Sequence, residues 1–421
     1  MKFAADLHIH SRYSRATSRD CTIPILHKWA QIKGLPVLGT GDCTHPAWLR
    51  EIRSHLVEAE PGFFRLKSLP PLPKPIDIDP HPIKVRFVLT TEISCIYKKE
   101  NRTRKIHCLL LLPDFDSVVK IADRLKTIGS LMVDGRPILK LDARDLLEIV
   151  LENAPEGVLI PAHVWTPWFS LFGSKSGFDS VEDCFADLSP YIVALETGLS
   201  ADPTMMRLVS ALDRLSLVSN SDSHSPANIG REATIFDTEF SYYGIRKSLM
   251  ENSIHGTVEF FPEEGKYFSS GHRNCNYRQV RAFPHSRHAV CPLCAKPLTA
   301  GVMHRVYELA DRTAVPQNIA PNYSATISLR EIIGQILQIG SNTKGVAKRY
   351  ARLINLFGSE LGILLETPIQ EISRRYSPIL AEAVDRIRKG NITKHPGFDG
   401  KYGKILIFST KELESFPVKP I

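Results

Sequence analysis

Six short apolar segments of the chain each end in a histidine or a carboxylate, and this repetition limits the folds that the chain can adopt. Segments with helical periodicity separate several of them, such as residues 23–33, which have Pro24 near their start and Gly34 after their end. Alternating strands and helices predict a mostly parallel sheet with right-handed crossovers, and over about 255 residues a closed barrel is the simplest architecture. The six segments lie at 2–10, 88–92, 105–107, 158–163, 192–196 and 217–224.

The polar ends of these segments predict one shared site, because side chains at the carboxyl ends of barrel strands converge on one face of the barrel. His8 and His10 are two residues apart in a strand and therefore point to the same side. Paired imidazoles suit a divalent metal, although two histidines on a half-exposed strand would give the same pattern. Imidazoles combined with carboxylates form a site of intermediate hardness for Zn²⁺, Mn²⁺ or Fe²⁺. Two such ions would polarise a phosphate, so metal-assisted phosphoester hydrolysis is the predicted reaction.

The charge of the chain favours a polyanionic partner. The sequence of 421 residues has 53 Lys and Arg against 45 Asp and Glu, a net charge of +8, and its pI is about 9.0. Nucleic acid is the expected partner on this count. Apolar runs stay far short of the roughly 20 residues that span a bilayer, and the start lacks a signal segment. We therefore expect a cytoplasmic, nucleoid-associated protein that has no membrane contact.

Three of the eight cysteines cluster with histidines beyond the barrel pattern. Two pairs of potential ligands, each with two residues between its members, are separated by a basic loop, which is typical of a tetrahedral structural zinc ribbon and not of a disulfide framework. His285 and His288 compete with His272 for the fourth ligand position. The predicted zinc ligands are His272, Cys275, Cys291 and Cys294.

Three other segments are candidates for contact with DNA. An aromatic loop follows the segment that ends at His163, and it is interpreted as a substrate wall, with packing inside a long loop as an equal alternative. A helix near residues 345–353 has three basic side chains, for which a solvated face is the default interpretation. A Gly-rich turn at 396–404 interleaves aromatic and lysine side chains. The candidate residues are Trp165, Trp168, Phe169, Lys348, Arg349, Arg352, Lys401 and Tyr402.

Four motifs in the first 255 residues resemble those of the polymerase and histidinol phosphatase (PHP) superfamily. They are Asp6-Leu7-His8-Ile9-His10, Gly41-Asp42, Pro161-Ala162-His163 and Ser221-Asp222-Ser223-His224. The resemblance implies an α/β fold with a distorted (β/α)7 PHP-type barrel around two or three metals. This chain has Cys43 where members of the superfamily usually have a histidine after the aspartate of the second motif.

The same resemblance assigns roles to residues at matching positions. The implied metal ligands are His8, His10, Glu92, His107, His163, Asp222 and His224. Candidates for a catalytic role, as further ligand or general base, are Asp42, Glu196 and Asp202.

Over its whole length the chain resembles the endonuclease Q family of DNA repair nucleases, which combine this barrel with a zinc-binding module and a helical C-terminal region. Residues 2–11, residues 39–46 and the segment from Cys291 to Arg305 carry the resemblance. It implies a barrel at 1–255, a zinc-ribbon-like module at 256–312 and a helical basic region at 313–421. A Pro-rich stretch at 61–82 is expected to be a surface insertion.

The resemblance also implies an activity. The expected enzyme is a lesion-specific endonuclease that hydrolyses the phosphodiester on the 5′ side of deaminated bases (uracil, hypoxanthine, xanthine) and of abasic sites. We expect Zn²⁺ as the structural and active-site metal, with Mg²⁺ or Mn²⁺ as alternatives for activity. The expected partners are DNA containing deaminated bases and a replication sliding clamp, and the protein is expected to be a monomer.

Two other functions fit parts of the sequence. A small-molecule PHP phosphatase would use the same barrel site, but it would not need the zinc-ribbon-like module or the basic helices. A non-catalytic DNA-binding repair accessory would keep the barrel as a structural module, and the near-complete set of ligands argues against it.

Overall fold

The structure, a computed structural model, describes residues 1–68, 78–279 and 290–415, and strands and helices alternate through its first half. The strands are β1 (Lys2–Asp6), β2 (Val37–Gly39), β3 (Leu56–Glu58), β4 (Phe64–Leu66), β5 (Arg86–Lys99), β6 (Arg102–Leu112), β7 (Ile138–Leu139), β8 (Val158–Pro161), β9 (Ala194–Glu196), β10 (Ser216–Val218), β11 (Ala233–Asp237), β12 (Gly256–Phe260), β13 (Gly271–His272), β14 (Tyr277–Arg278), β15 (Tyr323–Thr326), β16 (Thr393–His395) and β17 (Lys404–Leu406).

The helices occupy the connections and most of the last hundred residues. They are α1 (Ile23–Lys33), α2 (Pro46–His55), α3 (Phe115–Lys126), α4 (Ala143–Asn153), α5 (Val181–Phe185), α6 (Pro203–Met206), α7 (Tyr242–Met250), α8 (Val302–Leu309), α9 (Leu329–Leu337), α10 (Lys344–Phe357), α11 (Ile369–Arg375), α12 (Pro378–Arg388) and α13 (Thr410–Ser415).

Helix α1 ends where the sequence predicts, because Gly34 adopts the left-handed conformation that closes a helix. Its φ is 83°, and its N–H donates to the carbonyls of Ala30 and Gln31. A residue with a Cβ would be strained at this φ. After this helix the chain enters β2, which pairs in parallel with β1.

The main sheet is mixed, so the prediction of a mostly parallel sheet is wrong. Strands β1, β2 and β5 are parallel neighbours, whereas β6 pairs antiparallel with β5 and β8, and β11 pairs antiparallel with β1 and β12. Only Glu100 and Asn101, both with positive φ, connect β5 to β6, and so short a connection can join only antiparallel strands. The mixed α/β class is confirmed.

The sheet continues past the predicted boundary at residue 255. Strand β12 pairs with β11, and β15 pairs in parallel with β12, so a strand from the C-terminal region extends the sheet of the N-terminal region. The neighbour order is β15-β12-β11-β1-β2-β5-β4-β3, with β6 between β5 and β8, β7 beside β5, and β9 and β10 as a separate parallel pair.

Between β9 and β10 the chain forms only the short helix α6 and one 3-10 turn at Ser210–Leu212. Val209 lies between them with extended backbone angles, φ −105° and ψ 105°, and so ends helical hydrogen bonding. The guanidinium of Arg207 donates to the carbonyl of Leu215 at 3.0 Å, which fixes the irregular segment against β10.

The C-terminal helices form a second hydrophobic core, to which Ile32 of α1 and Phe261 also contribute. A buried ion pair joins the two parts: Lys33 Nζ of α1 lies 2.5 Å from Glu360 Oε2, which also accepts a hydrogen bond from Tyr350 Oη at 2.6 Å.

None of the helices in the described part of the chain is long and apolar enough to cross a membrane. His285, His288 and the centre of the Pro-rich stretch lie outside the described residues.

Candidate metal centre

The predicted ligands come from five strands of the fold. His8 and His10 follow β1, His163 follows β8 and Asp222 lies beyond β10. His163 and Asp222 have φ of 31° and 45°, values that residues other than glycine rarely adopt. Glu92 and His107 lie inside the long strands β5 and β6, so the prediction that they end strands is wrong, although their side chains reach the same place.

The first group of ligands consists of His8, His10, Glu92 and Asp222, whose ligand atoms all lie within 4.8 Å of one another. Glu92 Oε2 lies 3.5 Å from His8 Nε2 and 3.3 Å from His10 Nε2. Asp222 Oδ1 lies 3.0 Å from His10 Nε2. Four nitrogen and oxygen atoms at these separations can hold one divalent ion.

The second group consists of Glu92, His107 and His163. Glu92 Oε1 lies 2.6 Å from His107 Nδ1 and 3.2 Å from His163 Nε2. Glu92 therefore turns one carboxylate oxygen to each group. A carboxylate in this position can bridge two ions, which is the arrangement of two-metal hydrolases.

The residues fit a metal because one buried ligand atom has no other partner. His8 Nε2 is fully buried and, at 3.5 Å from Glu92 Oε2, makes no hydrogen bond with the described residues. An unsatisfied buried polar atom costs about 1–3 kcal/mol. The other nitrogen of the ring, Nδ1, lies 3.0 Å from both oxygens of Glu196. This contact holds the proton on Nδ1 and leaves the Nε2 lone pair for a metal, as outer carboxylates do for metal-bound histidines.

Asp42 holds His10 in the same way. Its Oδ1 lies 3.0 Å from His10 Nδ1. Its Oδ2 accepts hydrogen bonds from the N–H and hydroxyl of Ser11, both at 2.7 Å, and from Ser14 Oγ at 2.9 Å. Asp42 is fully buried and both of its carboxylate oxygens accept hydrogen bonds, so neither oxygen is free to contact substrate.

The three residues predicted to be catalytic all make contacts within the protein. Glu196 is buried and also accepts from the N–H of His163 at 2.8 Å, so it orients two ligands and is not a free general base. Asp202 accepts from the N–H of Met205 at 2.8 Å as the N-cap of α6. A catalytic role for Asp202 stays a prediction, while Asp42 and Glu196 contact the rings of His10 and His8 and are positioning residues.

His224 lies beside the first ligand group and not in it. Its ring centroid is 4.5 Å from that of His10, and its Nδ1 donates to the carbonyl of Asp222 at 3.0 Å. It belongs to neither group of candidate ligands among the described residues. About a third of its side chain is exposed, so it stands at the mouth of the centre.

The surroundings of Glu92 and His107 keep these two ligands in the protonation states that a metal needs, whereas at His8, His10 and His163 the nearby carboxylates outweigh burial and raise the pKa of the imidazole. Burial would raise the pKa of Glu92, but its contacts with His107, His8 and Arg136 outweigh burial and hold the pKa well below its usual range. Burial lowers the pKa of His107 to about 4, so this imidazole is neutral at pH 7. An ionised carboxylate beside a neutral imidazole is the state in which both bind metals.

Sequence reasoning missed Arg136, which reaches the centre from the loop between α3 and β7. Its Nη1 donates to Glu92 Oε2 at 3.1 Å. Nothing in the strand pattern marks this loop, because residues 127–137 contain no regular element. A charged residue in an irregular loop has no sequence signal that separates a site residue from a solvated one.

The aromatic loop after β8 has two kinds of residue. Trp165 is 1% exposed and its ring lies 5.0 Å from that of Phe172 inside the core, so the prediction that it contacts DNA is wrong. Trp168 is 42% exposed. The half-buried ring of Phe169 packs at 4.8 Å from that of His107.

Trp168 lines a cavity of about 840 Å³ together with Tyr267 and Tyr402. The rings of Trp168 and Tyr267 are 5.7 Å apart, and Lys266 Nζ lies above the rings of both tyrosines. Thr166, on the same wall, lies 3.3 Å from His163 Nδ1 through its hydroxyl. The cavity therefore opens beside the second ligand group.

The other predicted DNA contacts lie on two separate elements. Lys401 donates to Asn276 Oδ1 at 2.8 Å, which places the Gly-rich turn and Tyr402 against the Cys/His module. Lys348, Arg349 and Arg352 lie on α10, and Lys348 and Arg352 are exposed. No contact among the described residues places these three beside the ligand groups, and their role stays a prediction.

The predicted ligands of the Cys/His module are brought together. The ligand atoms of His272, Cys275, Cys291 and Cys294 all lie within 4.8 Å of one another, and His272 Nδ1 is 3.5 Å from Cys294 Sγ. The N–H of Cys291 donates to Lys296, which tightens the turn that carries Cys291 and Cys294. This donor set and spacing fit a tetrahedral metal.

Comparisons with known proteins cover the chain in parts and as a whole. The family described as the MJ0043 C-terminal domain matches residues 328–391. The uncharacterized protein MJ0043 of Methanocaldococcus jannaschii is 32% identical over 249 residues, which are 57% of this chain and 31% of that protein. The uncharacterized protein YqxK of Bacillus subtilis is 28% identical over 425 residues, which cover 96% of this chain and 99% of that protein. The chain thus matches about a third of the length of the first relative and nearly all of the second.

Two solved structures match over the whole fold. The lesion-specific endonuclease PfuEndoQ from Pyrococcus furiosus has a TM-score of 0.84 and 31% identity, with 100% of both chains covered. Endonuclease Q in complex with a 27-mer duplex substrate that has an abasic lesion at the active site has a TM-score of 0.83 and 31% identity, with 99% of this chain and 98% of that chain covered. The chain therefore belongs to the endonuclease Q family of metal-dependent, DNA-cleaving enzymes.

Proposed function

We propose that the chain is a lesion-specific DNA endonuclease that hydrolyses the phosphodiester on the 5′ side of deaminated bases and abasic sites. The observation that carries the proposal is the position of Glu92, which shares its two oxygens between two groups of ligands. Divalent ions held there would polarise the phosphate and make hydroxide available near neutral pH. The side of cleavage and the range of lesions, uracil, hypoxanthine and xanthine, come from the family resemblance.

The chain's own residues would then orient the reaction. Glu196 and Asp42 fix the rings of His8 and His10, so the ligand atoms stay in place without reorganisation when substrate binds. His224 stands at the mouth, where it can exchange a proton with a substrate oxygen. Zn²⁺ is the proposed active-site metal, with Mg²⁺ or Mn²⁺ as alternatives, because imidazole and carboxylate ligands accept all three.

Recognition of an altered base requires that the base leave the stack, at a cost of a few kcal/mol that falls when the base is mispaired. We propose that the extruded base enters the aromatic cavity beside His163, between Trp168, Tyr267 and Tyr402. Burial raises the pKa of Glu264, which lines this cavity, to about 8, so its carboxyl is protonated at pH 7 and can donate a hydrogen bond. The net charge of +8 supplies affinity for the phosphates.

The remaining parts of the proposal concern the architecture and the partners. The strands around the site are proposed to form the distorted (β/α)7 barrel of the PHP superfamily, and the Cys/His module to hold a structural Zn²⁺. We also propose that the protein is a monomer, that it associates with the nucleoid and that a replication sliding clamp is its partner.

A cleavage assay tests the proposal. Metal-loaded protein should nick labelled duplexes that contain uracil, hypoxanthine or an abasic site faster than undamaged duplex. His8→Ala and Asp222→Ala should lose at least a hundredfold in rate, whereas His255→Ala, an exposed histidine outside the ligand groups, should not change it. A small-molecule phosphatase would instead cleave a simple phosphomonoester and leave all duplexes intact, and a non-catalytic accessory would bind them without cleavage.

A further inference from the structure

Arg136 is an arginine whose head lies between the buried ligands and the mouth of the centre. Its Nη1 lies 3.1 Å from Glu92 Oε2, and its side chain is 25% exposed while Glu92 is fully buried. Hydrogen bonds within the described part of the chain use one of the five N–H groups of its guanidinium. The other four are available to a group that enters from outside.

The loop that carries Arg136 is fixed to the ligand supports. The N–H of Gly135 donates to the carbonyl of Tyr13 at 3.0 Å. A Cβ on Gly135 would lie 2.3 Å from Asp42 Oδ2, so the loop backbone packs directly on the residue that holds His10. Asp134 Oδ1 accepts from the N–H of Arg15 and of Arg136, both at 3.2 Å. The guanidinium is therefore held in place before any ligand arrives.

The charges around Arg136 indicate which kind of group would bind beside it when metals are present. The carboxylates at the centre are Glu92, Asp222, Asp42 and Glu196, which carry about four negative charges together. Two divalent ions would balance them, and Arg136 then adds one uncompensated positive charge beside cations that repel it. A phosphodiester carries one negative charge. An anion of that charge at the mouth would balance the centre.

We propose that Arg136 binds a non-bridging oxygen of the phosphodiester that is cleaved and stabilises the charge that develops there. This inference rests on the proposed function. In the reaction the oxygen of water forms a bond to phosphorus and the bond from phosphorus to one deoxyribose oxygen breaks. That oxygen leaves as a hydroxyl after it takes up a proton, and the second proton of the water is released from the new phosphate. Arg136 forms only hydrogen bonds.

The test compares Arg136→Ala and Arg136→Lys with wild type on a labelled duplex that has an abasic site. Removal of a donor of this kind typically costs about a hundred- to a thousandfold in kcat. We expect that loss for R136A, a smaller loss for R136K, and partial recovery of R136A by free guanidinium ion. Lys140→Ala removes the same charge from an exposed position four residues along the chain and should change kcat less than threefold.

Two measurements without turnover separate phosphate binding from a structural role. Metal content after dialysis should be equal in wild type and R136A, and the affinity of metal-free protein for the duplex should lose about one unit of its salt slope in R136A. Loss of metal from R136A would show that Arg136 only holds Glu92 and would overturn the proposal. Equal kcat for wild type and R136A would overturn it as well. Wild type that cleaves none of the lesion duplexes would overturn the proposed function and this inference together.

Discussion

Replacement of Glu196 by glutamine tests the claim that an outer carboxylate sets the metal affinity of the centre. The two oxygens of Glu196 accept hydrogen bonds from His8 Nδ1 at 3.0 Å, from the N–H of His163 at 2.8 Å and from Asn220 Nδ2 at 2.9 Å. A glutamine has one acceptor oxygen, so its amide nitrogen must face a donor. Asn220 cannot turn to accommodate it, because its Oδ1 accepts from the N–H of Leu7 at 2.7 Å.

The size of the effect follows from these contacts. Loss of one buried hydrogen bond to a charged group costs about 1.5–3 kcal/mol. A cost of about 2 kcal/mol is about a thirtyfold change in an equilibrium constant, which agrees with the 10–100-fold losses typical of such supports. We expect E196Q to bind the active-site metal about 10–100-fold more weakly and to recover much of its cleavage rate at high metal concentration.

The assay is metal titration followed by equilibrium competition with a chelator, with the cleavage rate measured on the same samples. Glu232→Gln is the matched control. Glu232 is equally buried, and burial together with the neighbouring carboxyl of Glu259 raises its pKa well above the usual value, so glutamine replaces a neutral group. E232Q should bind metal as wild type does. An E196Q protein with unchanged metal affinity would refute the argument that Glu196 sets the tautomer and basicity of His8.

Four other changes give distinct results. Replacement of Cys291 and Cys294 by serine should remove one equivalent of metal, measured by elemental analysis, and lower the melting temperature, measured by calorimetry. An unchanged metal content and an unchanged melting temperature would contradict this. Trp165→Ala should lower the free energy of unfolding by about 3–5 kcal/mol because it empties a core position. Trp168→Ala should instead leave the free energy of unfolding unchanged and weaken DNA binding. The reverse result would contradict the assignment of Trp165 to the core and of Trp168 to the DNA-binding surface. Burial raises the pKa of Glu259 to about 8, so the native state keeps a proton that the unfolded chain releases near pH 4.5. The free energy of unfolding should therefore fall between pH 5 and pH 8, and E259Q, measured by denaturant unfolding at several pH values, should flatten this slope.

The candidate ligands could be predicted because most of them follow a local pattern. His8 and His10 follow a buried strand at a spacing of two, and the alternation of strands and helices places such residues at one end of a sheet. The alternation of strands and helices does not extend to β5 and β6, whose antiparallel pairing follows from the two-residue connection at Glu100 and Asn101. It also could not separate ligands from supports, because Glu196 and Glu92 both follow apolar segments.

The aromatic loop shows a second limit of the sequence. Trp165 and Trp168 are three residues apart in one irregular segment, yet the first is in the core and the second is exposed. Irregular backbone has no periodicity from which burial can be predicted. Arg136 is a similar case, since its contact with Glu92 depends on how a loop packs on Asp42 and not on any repeat in the chain.

The central claim is that the shared centre at Glu92 hydrolyses the phosphodiester on the 5′ side of an altered base. Mass analysis of the products of one duplex with a single uracil, compared with the same duplex carrying cytosine, tests it most directly. The account predicts two fragments whose masses place the nick 5′ to the uracil, with the uracil still attached, and no fragments from the cytosine duplex. Release of free uracil, or equal cleavage of both duplexes in Mg²⁺, Mn²⁺ and Zn²⁺, would contradict it.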